Sequence, residues 1–177
     1  MSSLKLSPAN ELYVYIASPL FCEEDLATIK VIEQKLEEYG IRYFSPRKEG
    51  GNLAEVAPEQ RQAAAKEMFD MNDMAIRECN VIIGNLDSSG AHKGSRWSDI
   101  GTVWELGMAY TKKVKGDDQK IITLSSKGYG SNLMLAFSTD VHLANLSDFD
   151  QFMDSWLRGC EYQEQCEIFH KPTGDLQ

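Results

Sequence analysis

The chain has 177 residues, of which 42% are hydrophobic, a size and composition typical of one compact domain. Its formal net charge of -9 repels polyanions, so a nucleic acid polymer is not expected as a partner. No stretch reaches the roughly 18 consecutive apolar residues that cross a membrane, and residues 1–10 lack the apolar core of a signal peptide, which favours a cytoplasmic protein without a membrane partner.

The first half of the chain alternates strand and helix patterns. A run rich in β-branched and aromatic residues predicts a buried strand at 12–17. Apolar residues at helical spacing behind an acidic first turn predict a helix at 23–39. A second strand is expected at 41–45, and the polar, glycine-rich segment 46–51 is predicted to be a loop. Residues 58–79 predict a long helix with a proline in its first turn.

The second half continues the alternation. Residues 81–86 predict a third buried strand, and the polar segment 87–98 predicts a loop. A helix is expected at 100–113 and a strand at 120–125. The remaining predicted elements are a short apolar helix or turn at 132–137, a last strand at 141–143 and a closing helix at 146–160.

This alternation predicts an α/β fold with a mainly parallel, five-stranded sheet and helices on both faces, doubly wound in the flavodoxin or Rossmann manner. We expect a single domain over residues 1–177, with irregular termini at 1–10 and 162–177. Ligands of such sheets bind beyond the carboxyl ends of the strands. The segments expected at that rim are 18–22, 46–51, 85–98 and 125–132.

Cysteine and histidine form no recognisable site pattern. The four cysteines lack any CxxC spacing, and the three histidines lack the spacing of metal ligands. We expect free, mostly structural thiols, and neither a metal nor a cofactor. The residues concerned are Cys22, Cys79, Cys160, Cys166, His92, His142 and His170.

Two carboxylates lie near the start of the helix at 100–113. Asp99 is expected at the N-cap, and Glu105 lies one to two turns into the helix. The helix dipole should keep such a carboxylate ionised and available as a nucleophile. The structural alternatives are an ordinary capping role for Asp99 and a solvent-facing position for Glu105. The apolar neighbours of Glu105, from Val103 to Ala109, argue against the second alternative.

A third carboxylate, Asp73, lies toward the C-terminal part of the helix at 58–79. The helix dipole disfavours an aspartate there, which makes Asp73 a candidate for a functional residue. An ion pair with Arg77, four residues further on, is the structural alternative.

Five segments, taken together, resemble the nucleoside 2-deoxyribosyltransferase family. They are VYIASPLF (14–21), FSPRKEG (44–50), NDM (72–74), SDIGTVWELGMAY (98–110) and SNLM (131–134). The resemblance implies an enzyme that acts on 2'-deoxynucleosides and free nucleobases. In that family a glutamate at the position of Glu105 attacks the anomeric carbon, forms a covalent deoxyribosyl intermediate and releases the base. A second base then takes the sugar, with retention of configuration.

The resemblance also implies roles for the other polar residues. Asp73 would exchange a proton with the departing and arriving base, and Asp99 would assist in the same site or hold the sugar. Tyr15 would orient Glu105 by a hydrogen bond. An acid in the position of Asp73 needs a pKa raised by burial or by a neighbouring carboxylate, which Asp99 could supply.

Substrate contacts are implied in the same way. Phe21 would pack on the base or sugar, and Asn132 would bind the 5'-hydroxyl. Asn132 and Met134 match a segment that the family lends to the active site of an adjacent subunit, so we expect a homo-oligomer, either a dimer or a hexamer. Gly50 stands where relatives often carry a glutamine or glutamate that binds the base, which leaves Glu49 as the substitute.

Two other functions stay open. A 2'-deoxynucleoside 5'-monophosphate N-glycosidase would use the same glutamate but needs donors for a dianionic phosphate. Ser125, Ser126 and Lys127 could hold that phosphate, whereas the acidic charge and Asn132 argue against it. A non-catalytic nucleotide-binding module, finally, could share the fold without the chemistry.

Overall fold

The computed structural model describes residues 11–51, 53–87, 98–126 and 132–158. Its strands all belong to one five-stranded sheet. They are β1 (Tyr13–Ala17), β2 (Arg42–Phe44), β3 (Val81–Asn85), β4 (Lys120–Leu124) and β5 (Val141–Leu143). Every neighbouring pair is parallel and the order is β2-β1-β3-β4-β5, which confirms the predicted parallel, doubly wound sheet.

Helices cover both faces of this sheet, as predicted. They are α1 (Glu23–Glu38), α2 (Pro46–Glu49), α3 (Arg61–Glu78), α4 (Ile100–Val114), α5 (Leu133–Ser138) and α6 (Leu146–Leu157), with 3-10 turns at Leu53–Glu55 and Pro58–Gln60. One hydrophobic core lies between the sheet and helices α1 and α6. A second core lies between the opposite face of the sheet and helices α3 and α4.

Strand β1 shows how the sheet assigns its side chains to these two cores. Val14 and Ile16 belong to the core beneath α1 and α6, whereas Tyr15 and Ala17 belong to the core beneath α3 and α4. The alternation follows from the two-residue period of a strand, and burial of both faces is normal for a parallel sheet. Tyr15 is thereby placed on the face that α4 covers.

Segment 46–51 differs from its prediction as a loop, because residues 46–49 form the helical turn α2. Pro46 supplies a backbone angle suited to the first helical position. The polar side chains that suggested a loop are bonded to α1 instead, since Arg47 pairs with Glu33 and Lys48 with Glu37. These tertiary contacts are invisible to local sequence patterns, and they favour the turn.

Helix α4 lies unusually close to strand β3 at Gly84. A Cβ atom at Gly84 would stand 2.8 Å from Cδ2 of Leu106, a fully buried residue of α4. A glycine inside a strand often marks such a close approach of another element. The contact fixes the second turn of α4, where Glu105 is located, against the sheet.

Several predictions fall outside the described residues, including the irregular termini at 1–10 and 162–177, most of the loop at 87–98, and Cys160 and Cys166. Cys79 is a buried free thiol. No helix in the described ranges has the length and apolar character needed to cross a membrane.

Candidate active site

Glu105 and Tyr15 meet at the carboxyl end of the sheet. The Tyr15 hydroxyl donates a hydrogen bond of 2.6 Å to Oε1 of Glu105, joining β1 to the second turn of α4. Tyr15 has no exposed surface, and its ring stacks on that of Phe44 at the end of β2, with centroids 5.6 Å apart. The carboxylate is therefore held by a side chain that is itself fixed by packing, the geometry required of an oriented nucleophile.

Burial governs the ionisation of Glu105. The pKa of this carboxyl is raised from 4.5 to about 7. The loss of solvent is the largest cause and raises the pKa, the Tyr15 hydrogen bond lowers it, and the charge of Asp99 adds a smaller increase. The expectation that the helix dipole keeps Glu105 ionised is thus only partly met, because the dipole acts mainly on the first turn and Glu105 lies in the second. A carboxyl with a pKa near neutrality is typical of an active site.

Tyr15 serves this carboxylate as a neutral donor. Burial and the nearby charge of Glu105 both raise the pKa of the Tyr15 phenol far above its ordinary value of 10.0. The hydroxyl therefore keeps its proton at every physiological pH, and the bond to Glu105 is permanently available.

Asp99 has the capping role that the sequence offered as its structural alternative. Its Oδ2 accepts hydrogen bonds from the backbone N–H of Thr102 at 2.8 Å and from the Thr102 hydroxyl at 3.1 Å, so it is the N-cap of α4. Its charge also acts on the Glu105 carboxyl. Asp99 is therefore a cap whose position brings a second carboxylate close to the first.

Asp73 pairs with Arg77 on the outer part of α3, as the structural alternative predicted. Arg77 donates to both carboxylate oxygens, at 2.8 and 3.0 Å. The guanidinium holds the pKa of Asp73 below its ordinary value, mainly through these hydrogen bonds. A raised pKa was expected of a proton donor at this position, and that expectation is wrong for the free protein.

Phe21 and Glu49 lie on segments that leave the carboxyl ends of β1 and β2. Phe21 is 62% exposed, and Glu49 is an exposed residue of α2. Since the carboxyl ends of parallel strands meet at one edge, both segments flank the rim at which α4 begins. Their side chains are accessible to a ligand there.

Asn132 and Met134 lie at the start of α5, apart from the contact between Tyr15 and Glu105. Oδ1 of Asn132 accepts hydrogen bonds from the backbone N–H groups of Met134 and Leu135, at 3.0 and 3.2 Å, so Asn132 caps α5. Met134 is 75% exposed. No contact within the described ranges joins either residue to Glu105.

The segment considered for phosphate binding is already engaged by a carboxylate. Asp87 accepts hydrogen bonds from the Ser125 hydroxyl at 3.1 Å and from the Ser126 backbone N–H at 2.8 Å. Lys127 lies outside the described residues. Within the described part of the chain, no cluster of three or more acidic, histidine or cysteine side chains is arranged to hold a metal ion.

Three residues of this site have no role in the sequence-based predictions. Phe44 stacks on Tyr15, and Thr102 donates to Asp99, the residue that caps α4. Gly84 leaves the space that lets α4 lie close to β3. Only Gly84 gave a usable signal, as a glycine in the middle of an apolar strand. Phe44 acts through a contact with Tyr15 on another strand, whereas Thr102 acts locally, through Asp99 three residues earlier.

Comparisons with known proteins place the chain in a family. The model of the nucleoside 2-deoxyribosyltransferase family matches residues 14–134, a range that includes Tyr15, Asp73, Asp99 and Glu105. A 2-deoxyribosyltransferase of Bacillus psychrosaccharolyticus is 27% identical and superposes with a TM-score of 0.57, covering 78% of this chain and 90% of its own.

A second solved structure is more distant. A CMP N-glycosidase of Clostridium botulinum, BcmB, is 20% identical with a TM-score of 0.47, covering 80% of this chain and 98% of its own, which is too remote to bear on function. No curated protein matches the sequence. The match over residues 14–134, together with the fold and the contact between Tyr15 and Glu105, shows that the chain belongs to the nucleoside 2-deoxyribosyltransferase family.

Proposed function

We propose that this protein exchanges the base of 2'-deoxynucleosides through a covalent intermediate on Glu105. The observation that carries the proposal is the 2.6 Å hydrogen bond from Tyr15 to the partly buried Glu105. A solvated, unsupported glutamate would have no such partner and no reason for a pKa near 7. Glu105 is the nucleophile, and Tyr15 orients it.

The reaction consists of two displacements at the same carbon. The free carboxylate oxygen of Glu105 forms a bond to the anomeric carbon while the bond from that carbon to the base nitrogen breaks, and the electron pair leaves with the base. The carboxylate also stabilises the positive charge that develops on the sugar. An arriving base then attacks the same carbon and releases Glu105, so two inversions give overall retention.

Proton exchange with the base is assigned to Asp73, with Asp99 as the assisting carboxylate or the ligand of the sugar. Arg77 keeps Asp73 ionised in the free protein, so Asp73 takes the proton of the arriving base once the ion pair with Arg77 is released. The protonated Asp73 that results is the acid for the leaving base when the reaction runs in the other direction. Release from Arg77 is part of this cycle.

The hydrogen bonds that Ser125 and Ser126 already make favour a nucleoside over a nucleoside 5'-monophosphate as the substrate. The hydroxyl and backbone N–H that would bind a phosphate already donate to Asp87. The carboxylate of Asp87 would also repel a phosphate dianion at this position. This observation supports transfer between nucleosides over the alternative nucleotide N-glycosidase.

Assembly with a second copy completes the proposal. Helix α5 presents an apolar surface made of Leu133, Met134 and Phe137. Contact through α5 would bring Asn132 to the active site of a neighbouring subunit, where its amide nitrogen would donate to the 5'-hydroxyl. A cytoplasmic location is part of the same proposal, since the free thiol of Cys79 suits a reducing compartment.

The decisive measurement is mass spectrometry of protein quenched during turnover of a 2'-deoxynucleoside. We expect a deoxyribosyl adduct on the peptide that contains Glu105, and loss of both the adduct and base exchange in Glu105→Gln. The matched control is Glu67→Gln, which removes one exposed carboxylate from α3. Exchange at the wild-type rate in Glu105→Gln would refute the assignment of the nucleophile.

Substrate controls separate the remaining alternatives. Turnover that requires a free acceptor base identifies a transferase, whereas equal turnover without acceptor identifies a hydrolase. A preference for the 5'-monophosphate over the nucleoside would overturn the argument from Asp87. A non-catalytic module predicts ligand binding without any turnover, and an adduct on Glu105 excludes it.

A further inference from the structure

A buried carboxylate joins helix α1 to the segment that follows β2. Glu33 of α1 is 2% exposed. Its Oε1 accepts hydrogen bonds from the Ser45 hydroxyl at 2.6 Å and from Nε of Arg47 at 3.1 Å. Its Oε2 accepts a hydrogen bond from Nη2 of the same Arg47 guanidinium. We call these three residues, Glu33, Ser45 and Arg47, the β2 anchor.

The β2 anchor is costly to build and specific in geometry. A buried carboxylate loses the solvation it has in water, and it recovers this loss only where several well-placed donors surround it. The paired guanidinium bonds and the serine hydroxyl supply three such donors, and the two-point contact of Arg47 fixes direction as well as distance. Stability alone would be served as well by apolar residues of similar volume.

A second layer of polar contacts lies outside the β2 anchor. Lys48 pairs with Glu37 of α1 at 2.5 Å and also donates to the Tyr43 hydroxyl. The Tyr43 hydroxyl in turn donates to Glu37 at 2.5 Å. Both basic residues of α2 are thus fixed to α1, which leaves Glu49 as the charged side chain of α2 that carries no such contact to α1 within the described structure.

The backbone beyond α2 is equally constrained. A Cβ atom at Gly50 would lie 2.6 Å from the carbonyl oxygen of Pro46, so no larger residue fits there without movement. Gly51 has a φ of +67°, a conformation that favours glycine. The segment from Ser45 to Gly51 therefore has one well-defined shape, held to α1 by the β2 anchor.

This segment is connected to the nucleophile by direct contacts. Phe44, the residue before Ser45, stacks on the ring of Tyr15, and Tyr15 donates to Glu105. A shift of the β2 end would move one wall of the site relative to the Glu105 carboxylate. The position of the segment that carries Glu49 is thus linked to that of the Glu105 carboxylate.

We infer that Glu33 and Arg47 are positioning residues for the nucleobase. The β2 anchor holds Glu49, Gly50 and Gly51 at the rim at which α4 begins, where the proposed reaction requires the base to bind, so it sets how well an arriving base competes with water for the deoxyribosyl intermediate. This inference rests on the proposed function. Breaking the anchor weakens the attack of the acceptor base more than the attack of water, because water needs no base-binding segment.

The test is the partition of the intermediate between an acceptor base and water in Arg47→Met, at a fixed acceptor concentration. We expect the transfer-to-hydrolysis ratio to fall by about 10- to 100-fold, the usual effect of misplacing a reacting group by about 1 Å. The rate at which water hydrolyses the intermediate should fall much less than the rate of transfer to the base. Arg47→Lys, which retains the charge without the two-point contact, should recover part of the ratio.

Lys113→Met is the matched control. It breaks the ion pair of Lys113 with Asp140, which is also partly buried but lies at the opposite end of the sheet, where Asp140 accepts from the backbone of Ile121. It should lower the melting temperature and leave the transfer-to-hydrolysis ratio unchanged. Ser45→Ala removes a single bond of the β2 anchor and provides a milder variant should Arg47→Met fail to fold.

The outcomes separate the two proposals. A wild type that forms no adduct and exchanges no base overturns the proposed function, and the inference with it. A wild type that exchanges bases, together with folded Arg47→Met or Ser45→Ala protein at the wild-type ratio, overturns the inference alone. An equal fall of the ratio in Lys113→Met would show that the β2 anchor acts only through general stability.

Discussion

Glu105 lies at the point where two requirements of the site oppose each other. In the proposed reaction the carboxylate must be ionised to attack a sugar carbon, yet it must be shielded from water so that the intermediate survives. Burial raises the pKa of Glu105 to about 7, and the Tyr15 hydrogen bond limits that increase. Tyr15 is therefore expected to control the fraction of Glu105 that is ionised at neutral pH.

Replacing Tyr15 tests this control. In the wild type, kcat/KM for the deoxynucleoside should rise with pH through about 7, as Glu105 loses its proton. Tyr15→Phe removes the hydrogen bond that lowers this pKa, so the rising limb should move to higher pH and activity at pH 7 should fall. A pH profile of both proteins measures the shift.

Tyr110→Phe is a suitable control, since Tyr110 packs against the same core from α4. It should leave the profile in place. A Tyr15→Phe profile that coincides with the wild type would show that the hydrogen bond does not tune Glu105.

Glu105 should also make the folded protein less stable at alkaline pH. Its pKa is about 7 in the folded state and 4.5 as the ordinary value, so the folded state binds more protons between these values. The free energy of unfolding therefore falls as pH rises through this window, by about 3 kcal/mol in total. Glu105→Gln cannot ionise and avoids the loss.

We accordingly expect Glu105→Gln to resemble the wild type in stability at pH 4.5 and to exceed it at pH 8. Urea unfolding at both pH values measures the difference. Glu67→Gln, on the exposed surface of α3, should show no such dependence. An inactive Glu105→Gln protein with wild-type stability at pH 8 would contradict the raised pKa.

At the scale of residues, the roles of some side chains can be predicted from the sequence much better than those of others. Glu105 was recognisable because a charge among apolar neighbours on a helix needs a partner, and the capping role of Asp99 is local to its own helix. The low pKa of Asp73 depends on which way Arg77 turns, which the spacing allows but does not determine. Phe44 matters through a contact with a different strand, which no local pattern contains.

At the scale of elements, the placement of α4 against β3 fixes the position of Glu105, the proposed nucleophile. Leu106 fills the space that a side chain at Gly84 would need, and Glu105 is its neighbour in the same turn. The distance between Glu105 and Tyr15 therefore depends on Gly84, which acts through Leu106. Packed elements transmit such displacements because protein interiors have little free volume.

Gly84→Ala should push α4 away from the sheet. We expect a loss of stability of about 1–3 kcal/mol from overpacking, together with a fall in base exchange as the hydrogen bond from Tyr15 lengthens. Thermal unfolding and exchange kinetics measure the two effects. Gly107→Ala, in the same helix and with open space around it, should be neutral or stabilising by up to about 1 kcal/mol.

The long elements were predictable because their apolar periods are strong, and β1, β3, α3 and α4 lie close to their expected ranges. Helix α2 was not predictable, because its four residues are stabilised by ion pairs to α1 that local sequence does not reveal. Short elements at a rim generally depend on such contacts, and these elements border the site.

At the scale of the whole molecule, an acidic surface coexists with exposed apolar side chains. The net charge of -9 favours solubility as separate molecules, whereas α5 exposes Met134 and Phe137 by 75% and 77%. Exposed apolar groups in one short helix are typical of a contact surface. The proposed assembly buries them against a second copy of the chain.

Phe137→Ser tests that assembly. Removing the exposed aromatic ring of α5 should shift the protein from an oligomer toward a monomer, as measured by size-exclusion chromatography with light scattering. Because Asn132 precedes the same helix, exchange activity should fall with the oligomer and recover as protein concentration rises. Val114→Ser, at the far end of α4, removes an apolar side chain of 62% exposure and should change neither property. A wild-type monomer with full activity would show that each chain builds a complete site alone.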